Sequence, residues 1–502
     1  MIKKIFWLTI LLGSMILILL ISQPQIMKGS LIIYFLYFEK FLILYLFIAN
    51  SSYLLLIIMG YLNSRKKFAE SLVDLTTRLT PLRSFMPISI LMPCHNEGKM
   101  ISDSVKSMLR TTYSEFEIIV CNDGSTDNTM EELIKTFNLI PQKSRRPQIL
   151  PCAQIKNIYI SPDFPDLTVI DKKNKGKADA LNASINYSKY NLVCCIDSDS
   201  LIDEKGLCRM ALGFFEDPDN LIAVGGTVRI ANDTKIEHGK VMATKISWNY
   251  FSLIQITEYI RAFLVGRMGW DYLKCNTIIS GAFGLFKKEA VIRCGGYKVS
   301  TIGEDLELLL RMHLKYRNQN IKYDVQFLPD PICWTEVPTD FKTLGNQRSR
   351  WQQGLAEGLW SSKEMLFKPW GGRIGWIALP YLWIFELISA PLEILGYFTT
   401  FFGYFYGLLN IHLVFLFLTV SILFGWILTL GGILIEEMTF SKYPKISDFQ
   451  KLFIGAILEQ FGYRQLHLFW RLRGIYRAIT GYQTWGSMTR KGFTQKTKDV
   501  FD

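Results

Sequence analysis

Charge is scarce in this chain. Asp, Glu, Lys and Arg make up 20% of its 502 residues, against about 25% in an ordinary soluble domain. The shortfall is local: Ile5–Ser22, Phe41–Leu62 and Leu413–Ile435 carry no charge at all. With 49% apolar residues the chain is too apolar to be simply soluble, yet too charged elsewhere to lie wholly in a membrane. That balance excludes intrinsic disorder, a collagen-like chain and a disulfide-stapled secreted fold. Cysteine is absent from both ends. All nine lie between Cys94 and Cys333, without a C-x-x-C pair, which argues against a structural zinc site or a disulfide framework and for reduced thiols in a cytosolic middle domain. Cys194 and Cys195 are adjacent and would face opposite sides of a strand. No internal repeat or low-complexity tract is evident. The 56 Lys+Arg against 44 Asp+Glu give +12, compatible with a membrane surface, a phosphate-bearing substrate or nucleic acid.

The apolar runs suggest an architecture. Ile5–Ser22 follows Lys3 and Lys4 but precedes no small-residue cleavage site, so it reads as an uncleaved span. Phe41–Leu62 is a second span, followed by Arg65, Lys66 and Lys67. Basic flanks before the first and after the second put both on the cytoplasmic side. Leu31–Lys40 between them is expected near the outer interface. Composition is globular from Pro87 to about Gly345, then apolar again over Ile374–Asn410 and Leu413–Ile435, with a weaker amphipathic stretch over Leu452–Trp470. Pro380, Pro391, Glu386 and Glu393 leave one or two spans open in 374–410. Seven Lys/Arg and no acid follow Trp470 as far as Lys498, placing that end in the cytoplasm too and favouring an even total of about six spans. The expected division is two membrane helices in 1–70, a cytoplasmic domain in 85–340, interface helices in 341–373, further membrane helices in 374–470 and a basic tail in 471–502.

Within the middle domain, Ile88–Met92 is a buried-strand pattern that ends at Pro93-Cys94-His95-Asn96-Glu97 and leads into a helix. Glu117–Cys121 is a second, running into Asn122-Asp123-Gly124-Ser125-Thr126-Asp127 before a helix at Asn128 or Thr129. Alternating strand, turn and helix predict an α/β domain with a parallel sheet, whose ligands sit at the strands' carboxyl ends. Asp123 and Glu97 stand there, although Asp-Gly-Ser-Thr-Asp is equally a turn with an N-cap. Lys172–Asn182 clusters lysines around Gly176 at a helix start, suited to phosphate oxygens or simply a solvated basic loop. A third strand, Leu192–Ile196, ends in Asp197-Ser198-Asp199. Two such carboxylates can hold a hard divalent ion beside a diphosphate. Thr301-Ile302-Gly303-Glu304-Asp305 opens a helix, where a carboxylate can serve as general base or merely complement the dipole. Gln347-Arg348-Ser349-Arg350-Trp351 lies in an amphipathic stretch that would also suit a membrane interface.

In their order and spacing these elements resemble the membrane-embedded, processive family 2 glycosyltransferases, which include cellulose, hyaluronan, chitin and poly-N-acetylglucosamine synthases. The resemblance covers nearly the whole chain and implies a GT-A nucleotide-diphospho-sugar transferase domain between N- and C-terminal transmembrane helices. It implies that Asp123 meets the uracil of a UDP-sugar with Glu97 nearby, that Lys177 lies by the nucleotide, and that Asp197 and Asp199 hold Mg2+ or Mn2+. It further implies that Asp305 is the catalytic base of a T-E-D motif, with Glu304 beside it. Gly303 stands where the family has Thr. Gln347, Arg350 and Trp351 match Q-x-x-R-W, whose Arg faces the diphosphate and whose Trp stacks under the acceptor sugar. Ser280-Gly281-Ala282 resembles an acceptor-side segment. Trp485 and Arg490 resemble a W-G-T-R loop that closes over UDP, with a longer Trp-to-Arg spacing here.

The resemblance implies an inverting transfer, from an α-linked UDP-sugar to a β-linkage on a growing polysaccharide. UDP-N-acetylglucosamine and UDP-glucose both remain open as donor. The implied setting is multi-pass in the plasma membrane with the catalyst in the cytoplasm, where an accessory export or regulatory protein is a further partner. Two rivals stand beside this. A non-processive enzyme would move one sugar to a polyprenyl phosphate, a class that generally lacks Q-x-x-R-W. A non-enzymatic export-channel component would have no need of intact Asp123, Asp197, Asp199 and Asp305. Nucleic acid is not an expected partner, because the basic excess lies at membrane edges and phosphate loops.

Overall fold

A computed structural model describes residues 28–77, 86–143, 146–237, 240–443 and 445–482. The run Ile5–Ser22 and both Trp485 and Arg490 lie outside them.

Twelve strands are described: β1 Ile88–Cys94, β2 Phe116–Asn122, β3 Ile140–Pro141, β4 Ile155–Ile160, β5 Leu167–Lys172, β6 Leu192–Ile196, β7 Ser200–Ile202, β8 Leu221–Ile230, β9 Lys235–Glu237, β10 Lys240–Ala243, β11 Phe283–Lys287 and β12 Asp324–Thr335. Strands β9 and β10 form a separate pair, and the other ten build one sheet in the order β3-β4-β5-β2-β1-β6-β11-β8-β12-β7. Its centre, β5-β2-β1-β6, is parallel. Each of these central strands is apolar almost throughout because both faces of the sheet are covered. Cys194 and Cys195 point into the two opposite cores, as adjacent strand residues must.

The sheet is mixed rather than parallel throughout. Strand β11 runs antiparallel to both neighbours, Phe283 facing Ile196 and Lys287 facing Leu192. That reversal matters, because it brings the start of β11 to the carboxyl end of β6 and so sets Ser280–Gly281 beside Asp197.

Three described helical stretches are long and apolar enough to cross a membrane: Ile32–Lys67, Ile374–Phe405 and Ile411–Thr439. The first contains Phe41–Leu62. Leu31–Lys40 belongs to the same helix, Lys28–Thr77, and Glu39 is buried there, its Oε1 accepting from Thr399 and Thr400 at 2.9 Å each. Residues 374–405 form one stretch, not two, with π-helical turns at Ile374–Ala378 and Leu382–Leu387 around Pro380. Beyond Thr439 come the helices Ile446–Leu458 and Arg464–Thr480, bent at Phe461–Gly462 where φ/ψ leave the helical region. Neither is a candidate span; they are 13 and 17 residues long.

The helix Arg267–Tyr272 and the long helix Lys28–Thr77 are in intimate contact. A Cβ on Gly269 would meet the Leu56 carbonyl oxygen at 2.3 Å, so only glycine permits this crossing of the helix Arg267–Tyr272 over Lys28–Thr77. Lys67 pairs with buried Asp271 at 2.5 Å, and Asp271 also accepts from Asn63 Nδ2 at 2.9 Å.

Candidate active site

The carboxyl ends of β1, β2, β5 and β6 converge, and their following loops carry most of the expected residues. Asp123 directly follows β2 and is buried. Its carboxylate accepts from Lys172 Nζ, from the Lys175 amide at 3.0 Å and from the Gly176 amide at 2.7 Å. Lys172, fully buried at the end of β5, also pairs with Asp179 at 2.8 Å. Asp123 thus ties the Lys172–Gly176 loop to the sheet, a compensated arrangement in which two acids share one buried ammonium and several backbone donors. Glu97 is half-buried; its carbonyl accepts from the Met100 and Ile101 amides at 2.9 Å, starting the helix Ile101–Leu109. The expected helix after Asp127 is Thr129–Phe137, with Asp127 Oδ1 accepting from the Thr129 amide at 3.0 Å.

A second cluster lies at the end of β6. Lys177, the first residue of the helix Lys177–Tyr187, sets its Nζ 2.5 Å from Asp197 Oδ1 and 3.7 Å from Glu304 Oε1. It also donates to the Gly281 carbonyl at 3.5 Å. Burial works against the Lys177 charge, but Asp197 and Glu304 outweigh it and hold the ammonium above its usual range. Burial pushes Glu304 up to about 7, with Lys177 opposing and Asp305 adding to the rise. Asp305 is oriented by two amides: Gly281 donates to Oδ2 at 3.2 Å and Leu306 to Oδ1 at 2.8 Å. The structure therefore brings Lys177, Asp197, Gly281, Glu304 and Asp305 into one contact network, although they span well over a hundred residues of chain.

Asp199 is buried just before β7, with Ser200 Oγ 3.5 Å from its Oδ1. Among the described residues no three His, Cys, Asp or Glu side chains converge closely enough to cage a metal. Two carboxylates one residue apart at a strand end are what Mg2+ needs when phosphate oxygens supply the rest, so the donor set fits a shared metal rather than an all-protein cage.

Gln347, Arg350 and Trp351 lie on the helix Phe341–Ser361. The helix touches the Asp305 segment through bare backbone: a Cβ on Gly303 would sit 2.7 Å from Gly354 Cα. Glu357 Oε2 reinforces the contact by accepting from Thr301 Oγ1 at 2.9 Å and the Ile302 amide at 3.0 Å. Trp351 is 39% exposed. Its ring lies 5.5 Å from Phe263 and 6.4 Å from Tyr259, both in the π-helical segment Tyr259–Gly266. Gln347 Oε1 is buried and makes no hydrogen bond among the described residues.

Two residues here went unread in the sequence. Arg348 is fully buried, 2.6 Å from Glu258 Oε2 and 4.2 Å from the Trp351 ring centroid; it occupies a variable position of the motif. Arg267 is also buried, and nothing in the sequence sets it apart, because Glu258 and Arg261 lie in the same stretch from Ile254 to Trp270.

Two family models match the chain. The Glycosyl transferase family 2 model matches residues 89–289, and the Glycosyl transferase family group 2 model matches residues 192–434. The chain carries a family 2 glycosyltransferase domain. The poly-beta-1,6-N-acetyl-D-glucosamine synthase of Staphylococcus aureus (strain COL) is 35% identical over 272 residues, covering 54% of this chain and 55% of that protein. The synthase of the same name from Staphylococcus epidermidis is 34% identical over 279 residues, 55% of this chain and 57% of its own length. The chain thus spans about half the length of the curated relatives it matches. Among solved structures, a mannosyltransferase from Pyrobaculum calidifontis in complex with GDP-Man and Mn2+ aligns with a TM-score of 0.48 at 15% identity, over 88% of this chain and 100% of that one. The matched regions include both groups of polar residues, those at the β2 end and those at the β6 end.

Proposed function

We propose that the chain is a processive, inverting glycosyltransferase that polymerises a UDP-sugar into a β-linked extracellular polysaccharide and passes it across the membrane. The observation that carries the reading is the network at the end of β6, where Lys177 bridges Asp197 and Glu304 while Asp305 is held by the Gly281 and Leu306 amides. The names of the matched relatives favour UDP-N-acetylglucosamine over UDP-glucose as donor.

In the proposed reaction Asp305 takes the proton from the acceptor hydroxyl, whose oxygen attacks C1 of the donor sugar from the face opposite UDP. The C1–O bond to the diphosphate breaks and UDP leaves. Fixing Asp305 with two backbone amides presets its orientation, which is where a general base gains most. Lys177 and Arg350 serve the negative charge that grows on the diphosphate. Mg2+ or Mn2+ on Asp197 and Asp199 would add neutralisation of that charge. Asp123 and Glu97 belong to the uracil pocket, and Trp485 and Arg490 to the closing loop. Trp351, with Gln347 on the same helix and Ser280 next to Gly281, forms the acceptor side, where an indole suits the apolar face of a sugar. Glu386 and Glu393, in the span Ile374–Phe405, are candidates to line the polymer's path.

Purified protein given Mg2+ or Mn2+ and a panel of radiolabelled UDP-sugars tests this. A high-molecular-weight product from one donor is expected; a one-sugar, lipid-soluble product would refute processivity.

A further inference from the structure

Three arginines are buried among the described residues, Arg229, Arg267 and Arg348. Arg229 pairs with Glu436 at 2.7 Å and Arg348 with Glu258 at 2.6 Å. Arg267 differs. Among the described residues no carboxylate lies within ion-pair distance of it, and its Nη1 is buried without a hydrogen-bond partner. A buried charge left in this state is costly, and a fold that only needed to fill space there would use an apolar side chain.

Its surroundings say what it awaits. Arg267 begins the helix Arg267–Tyr272, directly after the π-helical segment Tyr259–Gly266, and such π-turns often mark functional sites. Its guanidinium lies 4.7 Å from the Phe263 ring centroid, and Phe263 in turn lies 4.4 Å from Tyr259 and 5.5 Å from Trp351. Burial pushes the Arg267 guanidinium down to about 10, with Asp305 and then Tyr259 as the opposing influences. The charge therefore sits within electrostatic reach of the proposed base and against the aromatic cluster of Phe263, Tyr259 and Trp351. The diphosphate-facing ammonium of Lys177 is engaged elsewhere, with Asp197 and Glu304. A planar fork of donors, separated from the part-exposed Trp351 indole by the Phe263 ring, suits an oxygen-rich ligand with an apolar face, which describes a pyranose.

We propose that Arg267 is an acceptor-binding residue, donating to hydroxyl or amide oxygens of the sugar unit that rests on Trp351 beside Asp305. This rests on the reading of Trp351 and Asp305 as the acceptor side of the site.

The test uses the purified full-length chain and thermal unfolding, alone, with a β-1,6-linked N-acetylglucosamine trimer, and with UDP plus Mg2+. Arg267→Met is expected to melt at or above the wild type, because it removes an uncompensated buried charge. Its apparent affinity for the trimer should fall at least about tenfold, as for a lost hydrogen bond to a charged group, with the response to UDP kept. Arg267→Lys, which retains charge but not the fork, should fall between. A melting point below wild type would assign Arg267 a structural role and overturn the proposal, as would an unchanged trimer response. Loss of the UDP response would also overturn it, by moving the guanidinium to the donor side. Trp351→Ala separates the two levels. If it too leaves trimer binding intact, the acceptor reading itself fails. If it abolishes binding while Arg267→Met does not, only the role of Arg267 fails.

Discussion

Restoring the family's threonine at position 303 should damage this enzyme. Gly303 has φ −105°, which any residue can adopt, so backbone conformation does not require glycine. Space does. A Cβ there would lie 2.7 Å from Gly354 Cα and 3.1 Å from Gly354 C, against about 3.5–4.0 Å for ordinary carbon contacts. The obstacle is backbone of the helix Phe341–Ser361, so no rotamer change relieves it; helix and loop must separate by about 1 Å, the shortfall from normal contact. Overpacking of this kind costs about 1–3 kcal/mol. The larger effect is positional, because that helix carries Trp351 and Arg350 while Gly303 adjoins Glu304 and Asp305. A displacement of about 1 Å between reacting partners can cost about a hundredfold in rate. Gly303→Thr is therefore expected to lower polymerisation by one to two orders of magnitude while the protein remains folded, and Gly303→Ala should share most of the loss. Initial rates with UDP-N-acetylglucosamine, beside thermal melts of each variant, measure both effects. Wild-type rate and melting temperature in Gly303→Thr would refute the reasoning, since no such contact could then exist in the working enzyme.

Other expectations concern charge. Breaking the buried pair by Arg348→Met strands Glu258 and should cost about 3–5 kcal/mol, whereas the double variant Arg348→Met/Glu258→Leu should recover most of it; denaturant titration of both reports the difference. Lys172→Met leaves Asp123 and Asp179 without their shared cation and should weaken UDP binding along with stability, measured by calorimetry and melting. Glu304 offers a pH signature. Its folded-state pKa of about 7 lies above the ordinary 4.5, so between those values the folded state holds more protons than the unfolded one. Its contribution is thus fully present below pH about 4.5 and is lost as pH rises through about 7. Glu304→Gln should flatten this fall in melting temperature for the substrate-free enzyme, and an unchanged slope would assign the dependence elsewhere. Chelation should abolish transfer and added Mg2+ or Mn2+ restore it, with Asp197→Ala beyond rescue.

Much of the catalytic core was legible because its signals are local. The apolar runs Ile88–Met92, Glu117–Cys121 and Leu192–Ile196 lie within or coincide with β1, β2 and β6, since a strand covered on both faces has little choice but to be apolar. The helix after Gly303 was equally plain from Leu306, Leu309, Leu310 and Met312. What stayed hidden depends on tertiary direction. Nothing in Phe283–Lys287 announces that β11 runs against β6, yet that reversal brings Gly281 to Asp305. Gly303 stands in the sequence where the family has threonine, but its reason, the close approach of Gly354, exists only in the fold. Arg267 and Arg348 escaped because burial, not residue type, sets them apart from surface arginines. In the membrane part, hydropathy located apolar stretches but could not decide that Ile374–Phe405 is one kinked unit, because prolines that would end a soluble helix are tolerated where neighbouring helices cover the freed backbone.

The most direct test of the central claim is the polymerisation rate of Asp305→Asn beside its UDP affinity. The substitution keeps the shape of the side chain and an oxygen for the Gly281 amide but removes the base. The rate should fall by about two to four orders of magnitude, the usual worth of general-base catalysis, with UDP affinity within about twofold of the wild type. Polymer synthesis at the wild-type rate would contradict it.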